Sequence, residues 1–124
     1  MSKSSRCFYD NSISSFIMES DDVVYSKLDQ KYHGLALTTT RDAWRYEISF
    51  MHKALLPWKD DKGNIIFEYD IPRLGKRIDV VVLLRGIIFC FEFKVGEQNV
   101  LVLSGRLNDA SSSTLFGADS QMVA

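Results

Sequence analysis

The chain has 124 residues, 46% hydrophobic and 25% charged, with a net charge of −1. That length suits one domain with its own core, and the composition excludes intrinsic disorder. A charge so near zero excludes a uniformly basic nucleic-acid binder, and no apolar run approaches the ~20 residues that span a bilayer. Lys3 and Arg6 are followed by no apolar stretch of the secretory kind. Cys7 and Cys90 make no paired framework, so a reduced, cytoplasmic compartment is expected.

Residues 1–15 are polar and Ser-rich and predict a loosely ordered start. Ile13, Phe16, Ile17 and Met18 predict a short helix capped by Ser12. Ser20-Asp21-Asp22 predicts a second helix start, leading into Val23, Val24, Tyr25 and Leu28. Gly34 breaks that segment, and His33 reads as a loop residue. Residues 1–39 are expected to be a helical segment packed on the remainder.

Thr40 is the expected cap of the next helix, ahead of Arg41-Asp42-Ala43-Trp44. Trp44, Ile48, Met51 and Leu55 form one apolar stripe that ends before Pro57. Glu47 lies about 60° round from Trp44, and His52 about 80° on the other side. By position alone both are unremarkable flank residues.

Asp60-Asp61-Lys62-Gly63-Asn64 is turn-forming. A strand over Ile65–Ile71 follows, closed by Pro72. Residues 77–94 then hold two runs rich in Val, Ile, Leu and Phe around Arg85-Gly86, the pattern of a hairpin with a two-residue turn. In that register Leu84 faces Ile87, Val82 faces Phe89 and Asp79 faces Glu92. Alternation puts Asp79, Glu92 and Lys94 on one side of the sheet. Two carboxylates placed opposite each other repel, and a divalent cation between them is the simplest offset.

Both hairpin faces are apolar: Val80, Val82, Phe89 and Phe91 on one, Val81, Leu83, Ile88 and Cys90 on the other. Each needs cover. The Trp44 helix can cover one, leaving the other to the N-terminal helices, to later residues, or to a partner such as a second copy of the chain. Val100-Leu-Val-Leu is followed by small polar residues with little periodicity, so residues 99–124 are expected to be a flexible tail. Between Ile71 and Gly96 there are five basic residues (Arg73, Lys76, Arg77, Arg85, Lys94) against Asp79 and Glu92, a local balance of +3. A basic rim around an acidic pair suits a phosphate backbone approaching a metal, although ordinary solvated charges give the same pattern.

Asp79, twelve intervening residues and Glu92-Phe93-Lys94 form a D-x(n)-E-x-K signature. With the helix and strand before it, this resembles the PD-(D/E)XK nuclease superfamily. Three strings narrow the resemblance: Thr40–Ile48, Phe67-Glu-Tyr-Asp-Ile-Pro-Arg-Leu-Gly-Lys-Arg-Ile-Asp79, and Phe91-Glu-Phe-Lys-Val-Gly-Glu97. They are similar to the N-terminal nuclease-like region of bacterial Schlafen-type DNA/RNA helicases over roughly residues 8 to 98. The resemblance implies an α/β fold with a restriction-endonuclease-like core. N-terminal helices would precede a helix and three-stranded meander over residues 40–98, incomplete at the C-terminus. Such proteins continue with a glutamine-bearing helix, a strand and an NTPase module, none of which is legible after Gln98, so this chain reads as a truncated copy and no helicase activity is inferred.

The implied activity is Mg²⁺- or Mn²⁺-dependent hydrolysis of DNA or RNA phosphodiesters, without a membrane partner. Asp79 and Glu92 would be metal ligands and Glu47 an additional one. Lys94 would orient water or stabilise developing charge, and Arg73, Lys76 and Arg77 would contact phosphate. The alternatives from other classes are a non-catalytic remnant or interaction module, and a small antitoxin-like regulatory protein.

Overall fold

The computed structural model describes residues 7–32, 38–71, 75–94, 100–106 and 119–123. A short strand, β1 (Tyr9–Ser12), runs directly into helix α1 (Ile13–Met18). Ser12 ends the strand and caps the helix. Its hydroxyl accepts from the Ser15 N–H at 3.1 Å, satisfying one of the orphan donors of the first turn. Ser20 does the same for α2 (Asp21–Lys31), accepting from the Val23 N–H at 3.3 Å. Asp21 and Asp22 in its first turn and Lys31 in its last sit at the ends of the helix dipole that suit their charges.

Both caps match the sequence pattern, but β1 does not. These residues pair antiparallel with β2 (Gly63–Ile71), Tyr9 opposite Phe67. One aromatic anchor replaces hydrophobic alternation, because the buried Tyr9 ring meets Phe16 and Phe67 edge-on, with centroids 6.0 and 5.6 Å away. Such contacts favour edge-to-face geometry and add to the area buried.

Helix α3 (Thr38–Leu55) begins two residues before the expected cap, so Thr40 lies inside its first turn. Its stripe is the predicted one, with Trp44, Ile48 and Met51 fully buried and Leu55 nearly so. Pro57 converts the chain to a short 3₁₀ turn at Leu56–Trp58. No described helix is long and apolar enough to cross a membrane.

The order helix, strand, strand, strand holds through residue 93, and the sheet is larger than expected. Strands β3 (Lys76–Leu84), β4 (Ile87–Phe93), β5 (Val100–Arg106) and β6 (Asp119–Val123) join β1 and β2 in a six-stranded antiparallel meander, neighbours in chain order. The fold is therefore mixed α/β, with three helices on an antiparallel sheet. The flexible tail expected over residues 99–124 is corrected for 100–106 and 119–123. Strand β5 pairs with β4 from Phe93↔Val100 to Ile87↔Arg106, and β6 pairs with β5. Val100-Leu-Val-Leu has strong β-propensity, and pairing satisfies the backbone groups that β4 would otherwise present at an edge.

All three helices cover one face. Ile13, Phe16, Val24 and Leu28 meet the α3 stripe over Ile65, Phe67, Val80, Val82 and Leu84. Gly63 is needed where α1 crosses β2, since a Cβ there would lie 2.5 Å from the Leu83 carbonyl oxygen and 2.9 Å from Ile13 Cδ1. The opposite face gathers Ile78, Val81 and Cys90 with Ile66, Tyr69, Ile71, Leu83, Ile88 and Leu103. These hairpin faces are the ones alternation predicts. The N-terminal helices do not supply the second cover, because they share the face of α3.

Candidate metal centre

At its closed end the β3–β4 hairpin is regular. Arg85 and Gly86 form the two-residue connection, both with positive φ (55° and 76°), as a type I′ turn requires. From there the register runs Leu84↔Ile87 to Val80↔Phe91, the predicted one. Asp79 and Glu92 would pair next, but the ladder stops. The Phe93 N–H instead donates to Asp79 Oδ2 at 2.9 Å, so a carboxylate takes the place of a strand partner.

On the other side of β3, pairing lapses at the same level. Phe67↔Val80 and Tyr69↔Ile78 are paired while Glu68 and Asp79 between them are not. Glu68 has a φ of 59°, a left-handed value that is rare and costly for a residue with a Cβ. The pleat changes phase here. Phe67 and Val80 belong to the helix-side core, yet Tyr69 and Ile78, two residues along each strand, belong to the opposite cluster. Regular alternation would keep each pair on one face.

The phase change falls at Asp79 itself, so the expected placement on the Val81 side, which assumed an unbroken pleat, is no longer set by alternation. Glu92 keeps the phase of Cys90. Burial first, and then the Glu92 charge, push the Cys90 thiol up to about 11. Asp79 and Glu92 still feel each other. The Asp79 carboxyl is pushed up to about 6 by burial, opposed by the Phe93 N–H and reinforced by the charges of Glu92 and Glu68.

Glu68 is the residue that sequence reasoning missed. It is buried beneath α3, where Oε2 accepts from Trp44 Nε1–H at 3.3 Å and Oε1 from Arg77 Nη1–H at 3.5 Å. Burial raises its carboxyl, and the Trp44 and Arg77 bonds pull it back part of the way. One signal was present. In Ile65-Ile-Phe-Glu-Tyr a regular pleat would set Glu68 beside Ile66 on an apolar face, so the residue contradicts the pattern around it.

Glu47 is likewise corrected. Its place beside the α3 stripe makes it look ordinary, yet it is 3% exposed and its Oε1 has no hydrogen-bond partner. Burial, then the charges of Asp79 and Glu68, push its carboxyl up to about 10. Glu47 projects from α3 into the level where β2, β3 and β4 stop pairing, and it is buried there.

The basic residues are less concentrated. Lys76 opens β3 and Lys94 follows β4, both exposed. Arg77 is braced against the N-terminal segment. Its Nη1–H donates to the Tyr32 hydroxyl at 2.8 Å, and its guanidinium lies 5.1 Å from the Phe8 ring centroid. Arg73 and His33 lie outside the described residues. His52 is not in the site. It stacks on Phe16 at 4.2 Å, with Nδ1 against the Asp21 carboxylate and Nε2 at 2.9 Å from the Phe16 carbonyl oxygen.

The donor set around Asp79 is carboxylate oxygen, one atom of it orphaned, which suits a hard divalent cation rather than zinc. Among the described residues, no three His, Cys, Asp or Glu side chains stand close enough to enclose an ion by themselves. Water or substrate oxygens would complete the shell, as is usual for Mg²⁺. Comparison with protein-family models, curated proteins and solved structures finds no match to this chain.

Proposed function

We propose that the open end of the β3–β4 hairpin binds Mg²⁺ or Mn²⁺ and that the domain is nuclease-like, hydrolysing DNA or RNA phosphodiesters. The observation that carries this reading is Glu47 Oε1, buried without a partner and facing the charges of Asp79 and Glu68. A buried, unsatisfied polar atom costs roughly 1–3 kcal/mol, more if charged. A cation beside Asp79 offsets both that cost and the mutual repulsion. The resemblance to PD-(D/E)XK nucleases points the same way, because it assigns Asp79, Glu92 and Lys94 to this chemistry.

Asp79 and Glu92 would hold the ion, with the Phe93 N–H fixing the Asp79 carboxylate. Glu47 on α3 would add a further oxygen only if the carboxylates drew together around the ion, since no three of the described side chains enclose one as they stand. A bound divalent ion supplies Lewis acidity toward a phosphodiester oxygen and acidifies a water. Lys94, exposed next to Phe93, would orient the attacking water or neutralise charge developing on the phosphate. Lysine suits that role better than arginine because it can exchange a proton. Lys76, exposed at the start of β3, would meet the phosphate backbone.

Calorimetric Mn²⁺ titration and Mg²⁺-dependent cleavage of labelled oligonucleotides test the reading. Asp79→Ala and Glu92→Ala should abolish Mn²⁺ binding. Lys94→Ala should bind Mn²⁺ normally and cleave about 100-fold more slowly or worse. No binding by the wild-type chain at millimolar Mn²⁺ would end the metal reading. A second reading, a non-catalytic module that keeps the fold, is favoured by the lack of three enclosing side chains among the described residues. It predicts neither saturable Mn²⁺ binding nor cleavage.

A further inference from the structure

Beside the acidic cluster lies an aromatic surface that the metal chemistry does not use. On α3, Tyr46 precedes Glu47 and Phe50 follows one turn later. At 100° per residue they sit about 100° and 60° further round the helix than Glu47, away from the Trp44 stripe. On β4, Phe93 stands between Glu92 and Lys94. Phe93 meets Phe50 and Tyr46 edge-on, with ring centroids at 5.4 and 5.8 Å, and lies nearly parallel to Phe91 at 6.5 Å. Tyr46 is 36% exposed, and Phe50, Phe91 and Phe93 are half-buried. The backbone that carries two of these rings also carries Glu47 and Glu92.

We infer that the Tyr46 ring, braced edge-on by Phe93, is a stacking platform for an unpaired nucleotide, so that the substrate of the proposed site is single-stranded DNA or RNA. This inference rests on the nuclease reading for its chemistry, but its geometry is independent of the metal. An exposed aromatic ring is a standard surface for a splayed base, and stacking on it tolerates any base. Two exposed cations are placed for a phosphodiester chain to meet, with the exposed Asp42 one turn before Tyr46. Lys94 is exposed at the Phe93 end, and Lys53, exposed on α3, is one turn beyond Phe50 on the same side of the helix. A duplex offers its bases only as edges in a groove and could not reach flat rings beside buried carboxylates.

The test is fluorescence anisotropy with labelled 12-mers of dT and rU, and with a blunt DNA duplex of equal length, in metal-free buffer so that nothing is cut. The wild type should bind both single strands at least tenfold more tightly than the duplex. Tyr46→Ala should weaken single-strand binding about tenfold, the range for one lost stacking contact, while Tyr46→Phe retains it. Phe93→Leu, which keeps an apolar group in place, gives a second reading if Tyr46→Ala proves unstable. The dT and rU arms show which sugar the platform prefers. Mn²⁺ titration of Tyr46→Ala should match the wild type, separating the platform from the metal site. Single-strand binding unchanged in both variants overturns the inference and leaves the metal reading intact. Platform binding without Mn²⁺ binding overturns the metal reading alone. A wild-type dimer in sedimentation that Tyr46→Ala converts to monomer overturns the inference too, making the aromatic face a contact between copies.

Discussion

The two ends of the β3–β4 hairpin are built from the same two strands and behave as opposites. At the closed end every backbone group from Leu84↔Ile87 to Val80↔Phe91 is in register, and the turn charge is answered in solvent by Asp61, 2.6 Å from Arg85 Nε. At the open end pairing lapses on both sides of β3, and buried carboxylates face one another. Each end has a non-glycine residue at positive φ at its level, Arg85 at 55° in the turn itself and Glu68 at 59° on the neighbouring β2. The first is demanded by the turn. The second interrupts a strand, and that cost is tolerated where a carboxylate must be turned under a helix. Strain and unmet charge thus coincide at one place, which is where functional sites concentrate.

The contrast can be broken by removing what seals the open end. Trp44→Ala deletes the ring that overlies Glu68 and should destabilise the domain by about 3–5 kcal/mol in urea unfolding. A loss below about 1 kcal/mol would mean that α3 is not the seal.

Glu47→Gln sharpens it. Because the Glu47 carboxyl is pushed up to about 10 in the folded state, the native protein holds that proton more tightly than the unfolded chain. The stability this group contributes is complete below the ordinary carboxylate range and is lost as pH rises toward its folded value. Wild type should therefore weaken with rising pH by on the order of 1 kcal/mol per pH unit. The glutamine variant should lack that slope and be the more stable protein at pH 8. Millimolar Mn²⁺ should narrow the difference, raising the melting temperature of wild type more than that of the variant. Identical pH slopes in the two proteins would show that Glu47 is not sealed in.

Glu68→Gly removes the positive-φ penalty, roughly 1–3 kcal/mol, against about 1 kcal/mol of added backbone entropy in the unfolded chain. It should leave stability equal or slightly higher while weakening Mn²⁺ binding, measured by thermal melts and titration. A clearly less stable variant would mean that the Trp44 and Arg77 bonds outweigh the strain. Arg85→Ala, at the closed end, should matter least. It removes an exposed ion pair and a guanidinium 5.1 Å from the Trp58 ring, together under about 1 kcal/mol, with Mn²⁺ binding unchanged.

Ser12 and Ser20 were readable as caps because a cap is settled by the few residues after it. The α3 stripe and the Arg85-Gly86 register were readable for a similar reason, since helical period and turn length act over a short span. Residues 100–106 were misjudged because the small polar residues after them suggested a tail, whereas an open β4 edge decides whether they pair. Arg77 looked free to meet phosphate, and only the packed N-terminal segment shows it engaged with Tyr32 and Glu68.

The amino-acid sequence by itself determined the helices, the hairpin and its register as far as Val80↔Phe91. Steric and hydrogen-bonding preferences of neighbouring residues are enough for those. Only the tertiary structure decided that Glu47 is sealed and unpartnered, that Glu68 leaves the pleat, and that Asp79 accepts from Phe93. A carboxylate's burial and charge state depend on what is packed opposite it, and those partners come from segments far away in the chain.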